Sequence, residues 1–515
     1  MLATIPHVFL VPHVLHLVSS GGRAMPALAR ETKAAGQSVK SALVLSLNAS
    51  ASVESGTPGA VFVIVWDQRI TFHDVGPGVR RAFQVLAGPG ATEDEFATAV
   101  LREEGPPGLA AWCHYLSLLE ERGAISYALR VEGVVVMRLC PISGYFRAAF
   151  PLRDPDTEYV LSRFAFWRRE GERLVIESPM SLAKVELSDA RALVLAGAFR
   201  RPASVDRVQQ EASTLPPWAV AGFVSLLDGA GMLTVAAGSG DAAEDRDPRL
   251  LQWEPVDLLF HARSRLGRHQ HPMGGTYRFR DRLPPAPVAK APMSDRTMEL
   301  HRPDVAALST GERPFTAVLE DRRSIRTYGS DPMTATELGD FLYRVARVKG
   351  DVDAAEVDGA YAATSRPYPS GGACYGLELY PVVSVSHGLE PGLYHYDAMG
   401  HRLEALPDPE RHHRSLLEDA RLAMGGGQTP QVLIVIAARF PRVFWKYESV
   451  GYALILKEVG ALYQTMYLVA TAMHLAPCAL GAGNVGRFAL ATGADFHEEG
   501  SVGEFALGRR PAKSG

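Results

Sequence analysis

A lysine and a tyrosine stand next to each other at Lys446 and Tyr447, directly before a long apolar stretch that runs from Val450 to Met473. Hydrophobic residues are spread around most of the helical circumference of this stretch, which predicts a helix buried in a core or at a subunit interface. A cation beside a phenol at the entrance of so apolar a helix favours perturbed pKa values. Lys446 and Tyr447 are therefore the first candidates for chemistry.

A second chemical signal is a short cluster of guanidinium groups with one hydroxyl, formed by Arg322, Arg323, Ser324 and Arg326. Guanidinium groups bind phosphate through charge-assisted, bidentate hydrogen bonds, so the cluster suits a phosphate monoester. A basic surface turn is the alternative interpretation. Two glycine-rich segments, from Pro369 to Ala373 and from Gly481 to Gly486, offer bare backbone that a flat ligand can approach.

Several function classes are disfavoured. No GxGxxG follows a strand and opens a helix, and no phosphate-loop lysine motif occurs, which argues against Rossmann and nucleotide triphosphatase folds. The cysteines stand far apart and the histidines lack a zinc-ligand spacing, so no metal site is predicted. The cysteine usage fits a reducing compartment, and we predict a cytoplasmic location. The net charge of -4 gives no global basic field for nucleic acid or an anionic membrane.

Length and composition predict an ordinary globular chain with several domains, since 515 residues are 47% hydrophobic and 21% charged. Proline-rich segments and changes of hydrophobic pattern set the predicted boundaries. These are a poorly ordered N-terminal tail (1–40), two winged-helix-like modules (41–150 and 151–250), a connector and linker (251–313) and a C-terminal domain (314–515).

The two modules are predicted from an internal repeat, in which LLEERGAI at Leu118–Ile125 is echoed by LLDGAGML at Leu226–Leu233. Each copy has the strand and helix pattern of a winged helix-turn-helix. The third helix of the second copy, between Trp218 and Leu227, has no Lys, Arg, Asn or Gln to reach bases or phosphates. We therefore expect these modules to dock a protein or a peptide and not nucleic acid.

The C-terminal domain alternates helices with strands, which predicts an α+β fold with a mixed sheet covered by helices. Thr334 and Glu337 form a capping-box pattern that predicts the start of a helix. The apolar run from Gln431 to Phe440 has the composition of a central strand.

The order of these motifs is familiar. RRSIRTYG, RPYPSGGACYGLELY, GLYHYD, FWKYESVGYAL, PCALGAGN and LGRRP resemble the nitroreductase-like flavoproteins, and within them the SagB-type peptide dehydrogenases that oxidise azolines to azoles. The resemblance covers residues 253 to 515. The arrangement of modules ahead of it is similar to that of the cyanobactin-type thiazoline oxidases.

The resemblance implies FMN bound at a homodimer interface and a catalytic pair at Lys446 and Tyr447. The phosphate and ribityl chain would be held by Arg322, Arg323, Ser324, Arg326 and Arg509. The isoalloxazine ring would be approached by Pro369, Ser370, Gly371 and Gly372 on one side and by Gly481, Ala482 and Gly483 near N5.

Aromatising an azoline removes one hydrogen as a proton and one as a hydride, so the reaction needs both a base and a flavin. Tyr447 as phenolate is the candidate base, provided that Lys446 lowers its pKa. The two neighbours can face one pocket only from a helix start or a loop. The leading hypothesis is an FMN-dependent azoline dehydrogenase acting on a ribosomally made peptide that a separate enzyme cyclises.

Two alternatives remain at this point. One is a flavin oxidoreductase of the same fold that reduces nitro or quinone compounds with a nicotinamide. The other is a non-catalytic subunit whose winged-helix modules bind a leader peptide or a cyclodehydratase partner. The predicted assembly is a homodimer, without nucleic acid and without a membrane.

Overall fold

The computed structural model describes residues 15–16, 42–56, 59–150, 156–236, 242–352 and 361–512. The predicted N-terminal tail lies outside these ranges except for Leu15–His16. The chain divides into two compact units, one ending at His271 and one beginning at Pro272, and this division falls inside the predicted connector. Within the described ranges, no helix combines the length and the apolarity that crossing a membrane requires.

The first unit consists of short strands and helices that occur in two successive sets. Its strands are β1 (Leu15–His16), β2 (Leu43–Leu47), β3 (Ala51–Ser55), β4 (Val61–Val65), β5 (Gln68–Phe72), β6 (Ile125–Val131), β7 (Val134–Pro141), β8 (Tyr159–Leu161), β9 (Phe166–Glu170), β10 (Arg173–Glu177), β11 (Ala183–Leu187) and β12 (Leu233–Val235). Its helices are α1 (Pro77–Ala87), α2 (Glu93–Glu120), α3 (Ala190–Ala198), α4 (Val205–Ala212), α5 (Pro217–Gly229) and α6 (Pro255–Arg263).

Helix α2 consists of two helical segments that meet at a kink. It begins with a capping box, in which Thr92 accepts from the amide of Glu95 and Glu95 accepts from the amide of Thr92. Its helical geometry is interrupted at Gly105, which has φ 71°, and two prolines follow. The chain leaves the helix through Gly123, whose φ of 62° is a conformation that glycine adopts without strain.

The strands of the two sets merge into one antiparallel sheet with the order β2-β6-β7-β11-β10-β9. The join lies between β7 and β11, where Leu139 pairs with Val185 and Met137 with Leu187. Side chains of both sets also share one hydrophobic core. The prediction of two separate modules therefore needs a correction: each set keeps its own helices, but the sheet and the core are common.

The second unit contains the remaining elements. Its strands are β13 (Thr297–Glu299), β14 (Gly350–Val352), β15 (Ala363–Ser365), β16 (Leu377–Val383), β17 (Gly392–Asp397), β18 (Arg402–Ala405), β19 (Val432–Arg439), β20 (Cys478–Leu480) and β21 (Glu499–Leu507). Its helices are α7 (Val305–Gly311), α8 (Phe315–Asp321), α9 (Ala335–Ala346), α10 (His412–Ala423), α11 (Phe440–Phe444), α12 (Gly451–Ala472) and α13 (Val485–Thr492). The part of the predicted connector and linker from residue 272 to residue 313 belongs to this unit and carries β13 and α7.

A seven-stranded sheet with the order β13-β18-β17-β16-β19-β21-β20 forms the centre of the second unit. Along β19, Ile434 and Ile436 pack into a core with α9 and α12, whereas Leu433 and Val435 pack into a core with α10 and α13. Helices thus cover both faces, which explains the unbroken apolar run of β19. The α+β class is confirmed. The pairings described for this sheet are all antiparallel and not mixed, because hairpins and returning helices reverse the chain between neighbours.

Helix α12 is only partly covered by its own chain. Ile455, Leu462 and Met466 are buried in the core beneath the sheet. On another face, Tyr452 and Leu456 remain 42% and 40% exposed. The apolar circumference that predicted a buried helix therefore includes a face that the described residues leave partly exposed.

Candidate active site

Lys446 and Tyr447 lie in the turn between α11 and α12. The amides of both residues donate to the carbonyl of Val443, over 3.2 Å from Lys446 and 2.8 Å from Tyr447. The turn is further held by Tyr277, whose amide donates to the carbonyl of Lys446 over 3.2 Å. In a turn, adjacent side chains are not forced apart as they are within a helix, so both can face one space.

The side chains of both residues converge on Gly372. Lys446 Nζ donates to the carbonyl oxygen of Gly372 over 3.1 Å. A Cβ added to Gly372 would lie 2.2 Å from Tyr447 Oη and 2.8 Å from Lys446 Nζ. Gly372 also has φ 57°, a left-handed conformation that L side chains disfavour. The loop that resembles a flavin-contacting segment is therefore also the loop on which the candidate catalytic pair closes.

Burial raises the pKa of Tyr447 to about 12, with smaller contributions from Cys374 and Tyr277. Lys446 is 8% exposed, and its Nζ lies 5.7 Å from the centre of the Tyr447 ring. The sequence-based expectation was a phenol whose pKa is lowered by the lysine. The structure gives the opposite direction, because burial of the phenol raises its pKa.

Glu458 is a second titratable group beside the same loop, and the sequence analysis assigned it no role. It is 4% exposed, and its Oε2 accepts a hydrogen bond from Ser370 Oγ over 2.8 Å. Ser370 Oγ in turn accepts from the amide of Tyr375 over 2.9 Å. Among the described residues, Glu458 Oε1 has no partner, and burial raises the pKa of this carboxyl to about 7. The sequence feature that could have identified Glu458 is a carboxylate within a largely apolar helix.

The predicted phosphate cluster forms an extended segment after α8. The segment is fixed by the amide of Ile325, which donates to the carbonyl of Pro477 over 2.8 Å. Ser324 Oγ lies 2.7 Å from Tyr467 Oη on α12, and the guanidinium of Arg322 lies 5.2 Å from the centre of the Tyr467 ring. None of the three arginines forms an ion pair with a carboxylate in the part of the chain that the structure describes. The cluster therefore retains its charge for an anionic ligand.

The structure contradicts the predicted role of Arg509 and points to its neighbour. The guanidinium of Arg509 is paired with Asp331 and with Glu337, the latter over 2.8 Å. Glu337 is the carboxylate that also caps α9, so Arg509 joins the C-terminal segment to that helix. Arg510 Nε, in contrast, is buried and has no hydrogen-bond partner in the described ranges. Arg510 Nε therefore keeps a donor that an anionic ligand could use.

A cavity of about 510 Å³ lies between α12, the Gly481–Gly483 segment and β21. Nothing lies within 4 Å of the position that a Cβ of Gly481 would take, so the backbone there is open. The carboxyl group of Glu504 packs against Gly483, where an added Cβ would lie 1.9 Å from it. Burial raises the pKa of Glu504.

Within one chain, the catalytic pair and this cavity lie on different sides of α12. The loop at Gly371 packs against Leu454, and Ser370 bonds to Glu458. The cavity is lined instead by Leu456 and Gly460. Successive helical residues turn by about 100°, so Glu458 points about 160° away from both cavity residues. The structure therefore brings Lys446 and Tyr447 together at the loop around Gly372, and it places Gly481–Gly483 at the cavity. Within one chain these two groups of predicted residues do not meet at one point.

Comparison with known proteins gives three matches along the chain. The description "ThcOx helix turn helix domain" matches residues 39–150, "Cyanobactin oxidase ThcOx" matches residues 159–270, and "Nitroreductase family" matches residues 319–509. A Methanocaldococcus jannaschii protein described as a nitroreductase is 31% identical over 190 residues, which are 36% of this chain and 85% of that protein. The chain belongs to the nitroreductase family.

Two further likenesses concern microcin processing in Escherichia coli. The microcin B17-processing protein McbC is 32% identical over 117 residues, which span 21% of this chain and 42% of McbC. The solved structure of the microcin synthetase McbBCD complex with truncated pro-MccB17 has 19% sequence identity and a TM-score of 0.31, covering 52% of this chain and 95% of that chain. Together with the ThcOx matches, the likeness to McbC confirms the resemblance of this nitroreductase-family chain to the cyanobactin-type oxidases.

Proteins of the nitroreductase family generally bind a flavin, and the residues of this chain fit such a group. The arginines of the 322–326 segment have no carboxylate partner in the described ranges, and Arg510 Nε is buried without a partner. Both features suit a phosphate. The open backbone at Gly481 suits a flat ring. The hydroxyl of Ser370, predicted to approach the ring, is already bonded to Glu458, which leaves only the backbone of that residue for a ligand.

Proposed function

We propose that this protein is an FMN-dependent oxidase that converts thiazoline or oxazoline rings of a ribosomally made peptide into thiazoles or oxazoles. The observation that carries the proposal is the convergence of Lys446 Nζ and Tyr447 Oη on Gly372 in a nitroreductase-family domain. The two ThcOx matches ahead of that domain support a peptide substrate over a free nitro compound.

FMN would be held through its phosphate by Arg322, Arg326 and Arg510 and would lie against the backbone of Gly481–Gly483. When bound, it would supply a two-electron acceptor for the hydride that leaves the azoline ring. Lys446 would hold the Gly372 carbonyl and thereby fix the loop, while Tyr447 Oη would accept the ring proton.

The pKa values around the loop make two proton acceptors distinguishable. If Tyr447 with a pKa of about 12 is the base, the active phenolate is scarce at neutral pH, and turnover should rise about tenfold per pH unit from pH 7 to 9. If Glu458 with a pKa of about 7 accepts the proton instead, turnover should level off above that pH. The first behaviour is the one we propose.

The proposal includes a homodimer in which each active site takes residues from both chains. Support comes from α12, where the catalytic pair and the cavity lie on different sides of one helix. Leu456, which is 40% exposed and lines the cavity, adds apolar surface that a second chain would cover. The first unit would dock a peptide or a partner protein, since the third helix of its second set has no cation for nucleic acid.

The test is an anaerobic single-turnover reaction in which a cyclised peptide bleaches the flavin of the purified protein. Each ring should lose two hydrogens in the mass spectrum. Tyr447→Phe should bleach about 10²- to 10⁴-fold more slowly with the same flavin content. The control is Tyr145→Phe, which removes the same hydroxyl from a residue that is 69% exposed. Bleaching by a nicotinamide but not by the peptide would indicate a nitro or quinone reductase, and no bleaching at all would indicate a non-catalytic subunit.

A further inference from the structure

Arg442 lies in α11, just before the turn that carries Lys446 and Tyr447, and its side chain is fully buried. No carboxylate pairs with it in the described part of the chain. Its guanidinium instead donates to three backbone carbonyls: to Cys374 from Nη2 over 2.9 Å and from Nε over 3.2 Å, to Ala362 over 2.9 Å and to Ala286 over 2.9 Å. A buried cation is costly unless it is well hydrogen-bonded, so this arrangement holds the arginine in one position.

One of these carbonyls belongs to the strained loop beside the catalytic pair. Ala373 and Tyr375 have φ 54° and 43°, left-handed values that are uncommon for residues other than glycine. Such a backbone persists only when its surroundings hold it in place. Arg442 bonds twice to the carbonyl of Cys374, between these two residues, and is therefore one of the contacts that fix the loop.

The carbonyl of Ala286 belongs to a proline-rich segment, residues 283–293, which we call the strap. Proline has no N–H, so this part of the strap offers mainly carbonyl groups. Trp445 Nε1 donates to the carbonyl of Leu283 over 2.7 Å, and Arg439 Nη2 donates to the carbonyl of Pro287 over 2.8 Å. Together with Arg442, these side chains bind α11 and the residues on either side of it to the strap.

We infer that Arg442 is a positioning residue, which fixes α11 and the following Lys446–Tyr447 turn against the loop around Gly372 and Cys374. The turn follows α11 because the amide of Tyr447 donates to Val443 in that helix. Loss of the guanidinium would let the loop and the turn move independently, while leaving both catalytic side chains in the chain. The catalytic consequence of this inference rests on the proposed function, but the movement of the loop does not.

The test compares Arg442→Lys with Arg439→Lys in a Cys113→Ser background. Lysine keeps the charge but cannot bond several carbonyls in a fixed fork. Arg439 provides the matched control, since its side chain bonds to the strap and to Glu378 but not to Cys374. The probe is the rate at which N-ethylmaleimide modifies Cys374, which is 1% exposed, located by peptide mass spectrometry.

Arg442→Lys should raise the labelling rate of Cys374 roughly tenfold or more through local opening of the loop. It should also slow flavin reduction by the cyclised peptide roughly 10- to 100-fold at unchanged flavin content. Arg439→Lys should leave both rates near those of the parent. Equal labelling rates in the two variants would overturn the inference.

A second variant covers the case in which Arg442→Lys does not fold. Tyr361 Oη donates to the carbonyl oxygen of Arg442, and the guanidinium lies 4.1 Å from the centre of the Tyr361 ring. Tyr361→Phe should therefore slow flavin reduction by a smaller factor, and an unchanged rate would again overturn the inference. Flavin reduction is the decisive readout for this variant, because the Tyr361 hydroxyl also contacts the Cys374 thiol. If the wild type never reduces its flavin with an azoline peptide, the proposed function fails, whereas Cys374 labelling still decides the role of Arg442.

Discussion

The substitution Gly372→Ala tests whether the catalytic pair depends on the space above this glycine. The added methyl would lie 2.2 Å from Tyr447 Oη and 2.8 Å from Lys446 Nζ. Ordinary carbon to oxygen contacts are longer than about 3.3 Å, so the phenol must retreat by about 1 Å. The left-handed backbone of this residue, with φ 57°, adds a cost of about 1–2 kcal/mol for any L side chain.

Two separate effects follow from this geometry. The free energy of unfolding should fall by about 1–2 kcal/mol, because the displaced atoms are ends of side chains and the fold itself can survive. Turnover should fall by about 10², since a displacement of about 1 Å at a reacting group has that effect. Flavin content should remain close to that of the wild type.

The substitution Gly493→Ala separates the effect of backbone strain from the effect of displacing the Tyr447 side chain. Gly493 has φ 71°, but nothing lies within 4 Å of its added Cβ. The same loss of unfolding free energy is expected there, measured by urea denaturation, without the loss of flavin reduction by a cyclised peptide. If both variants reduce their flavin at the same rate, the approach of Lys446 and Tyr447 to Gly372 has no catalytic meaning, and our reasoning on the site is wrong.

Two further predictions concern the ligand and pH. Arg326→Ala should weaken FMN binding by a few kcal/mol, whereas Arg509→Ala should mainly lower stability, as judged by flavin titration and urea denaturation. Burial raises the pKa of Glu458 from 4.5 to about 7, so the unfolding free energy should fall by roughly 3 kcal/mol between pH 4.5 and pH 7. Glu458→Gln should remove most of this dependence, while Lys457→Gln on the exposed side should not, and identical pH curves for wild type and Glu458→Gln would contradict the assignment.

Features that depend on local sequence were predictable. The capping box of Thr334 and Glu337, the central strand β19 and the apolar helix α12 all follow from patterns within a short window. The condition that Lys446 and Tyr447 leave the helix to face one space could also be stated in advance. Each of these depends on neighbours in the sequence and not on the tertiary fold.

Features that depend on distant contacts were not predictable. The merging of two strand sets requires the pairing of β7 with β11, which no local pattern specifies. The pairing of Arg509 with Asp331 and Glu337 joins residues that lie far apart in the sequence. The direction of the Tyr447 pKa shift depends on burial, which the sequence does not reveal for a single phenol.

The Lys446–Tyr447 pair and the cavity lie on different sides of α12, and this arrangement leads to a prediction about subunits. If each active site combines the flavin-binding residues of one chain with the Lys446–Tyr447 turn of the other, two inactive variants can complement each other. In a heterodimer of Arg326→Ala and Tyr447→Phe, one of the two sites carries neither substitution and the other carries both. Random exchange of equal amounts makes half of the dimers mixed, so roughly a quarter of the wild-type sites should return.

The experiment requires the two variants to be unfolded and refolded together with FMN, with separately refolded samples mixed afterwards as the control. Flavin reduction by a cyclised peptide would then recover only in the sample that was refolded jointly. A site formed by one chain alone would carry one defect in every subunit, so joint refolding would restore nothing. That outcome would also remove the reason for expecting α12 to be covered by a second copy, and Leu456 would then face only the cavity that it lines.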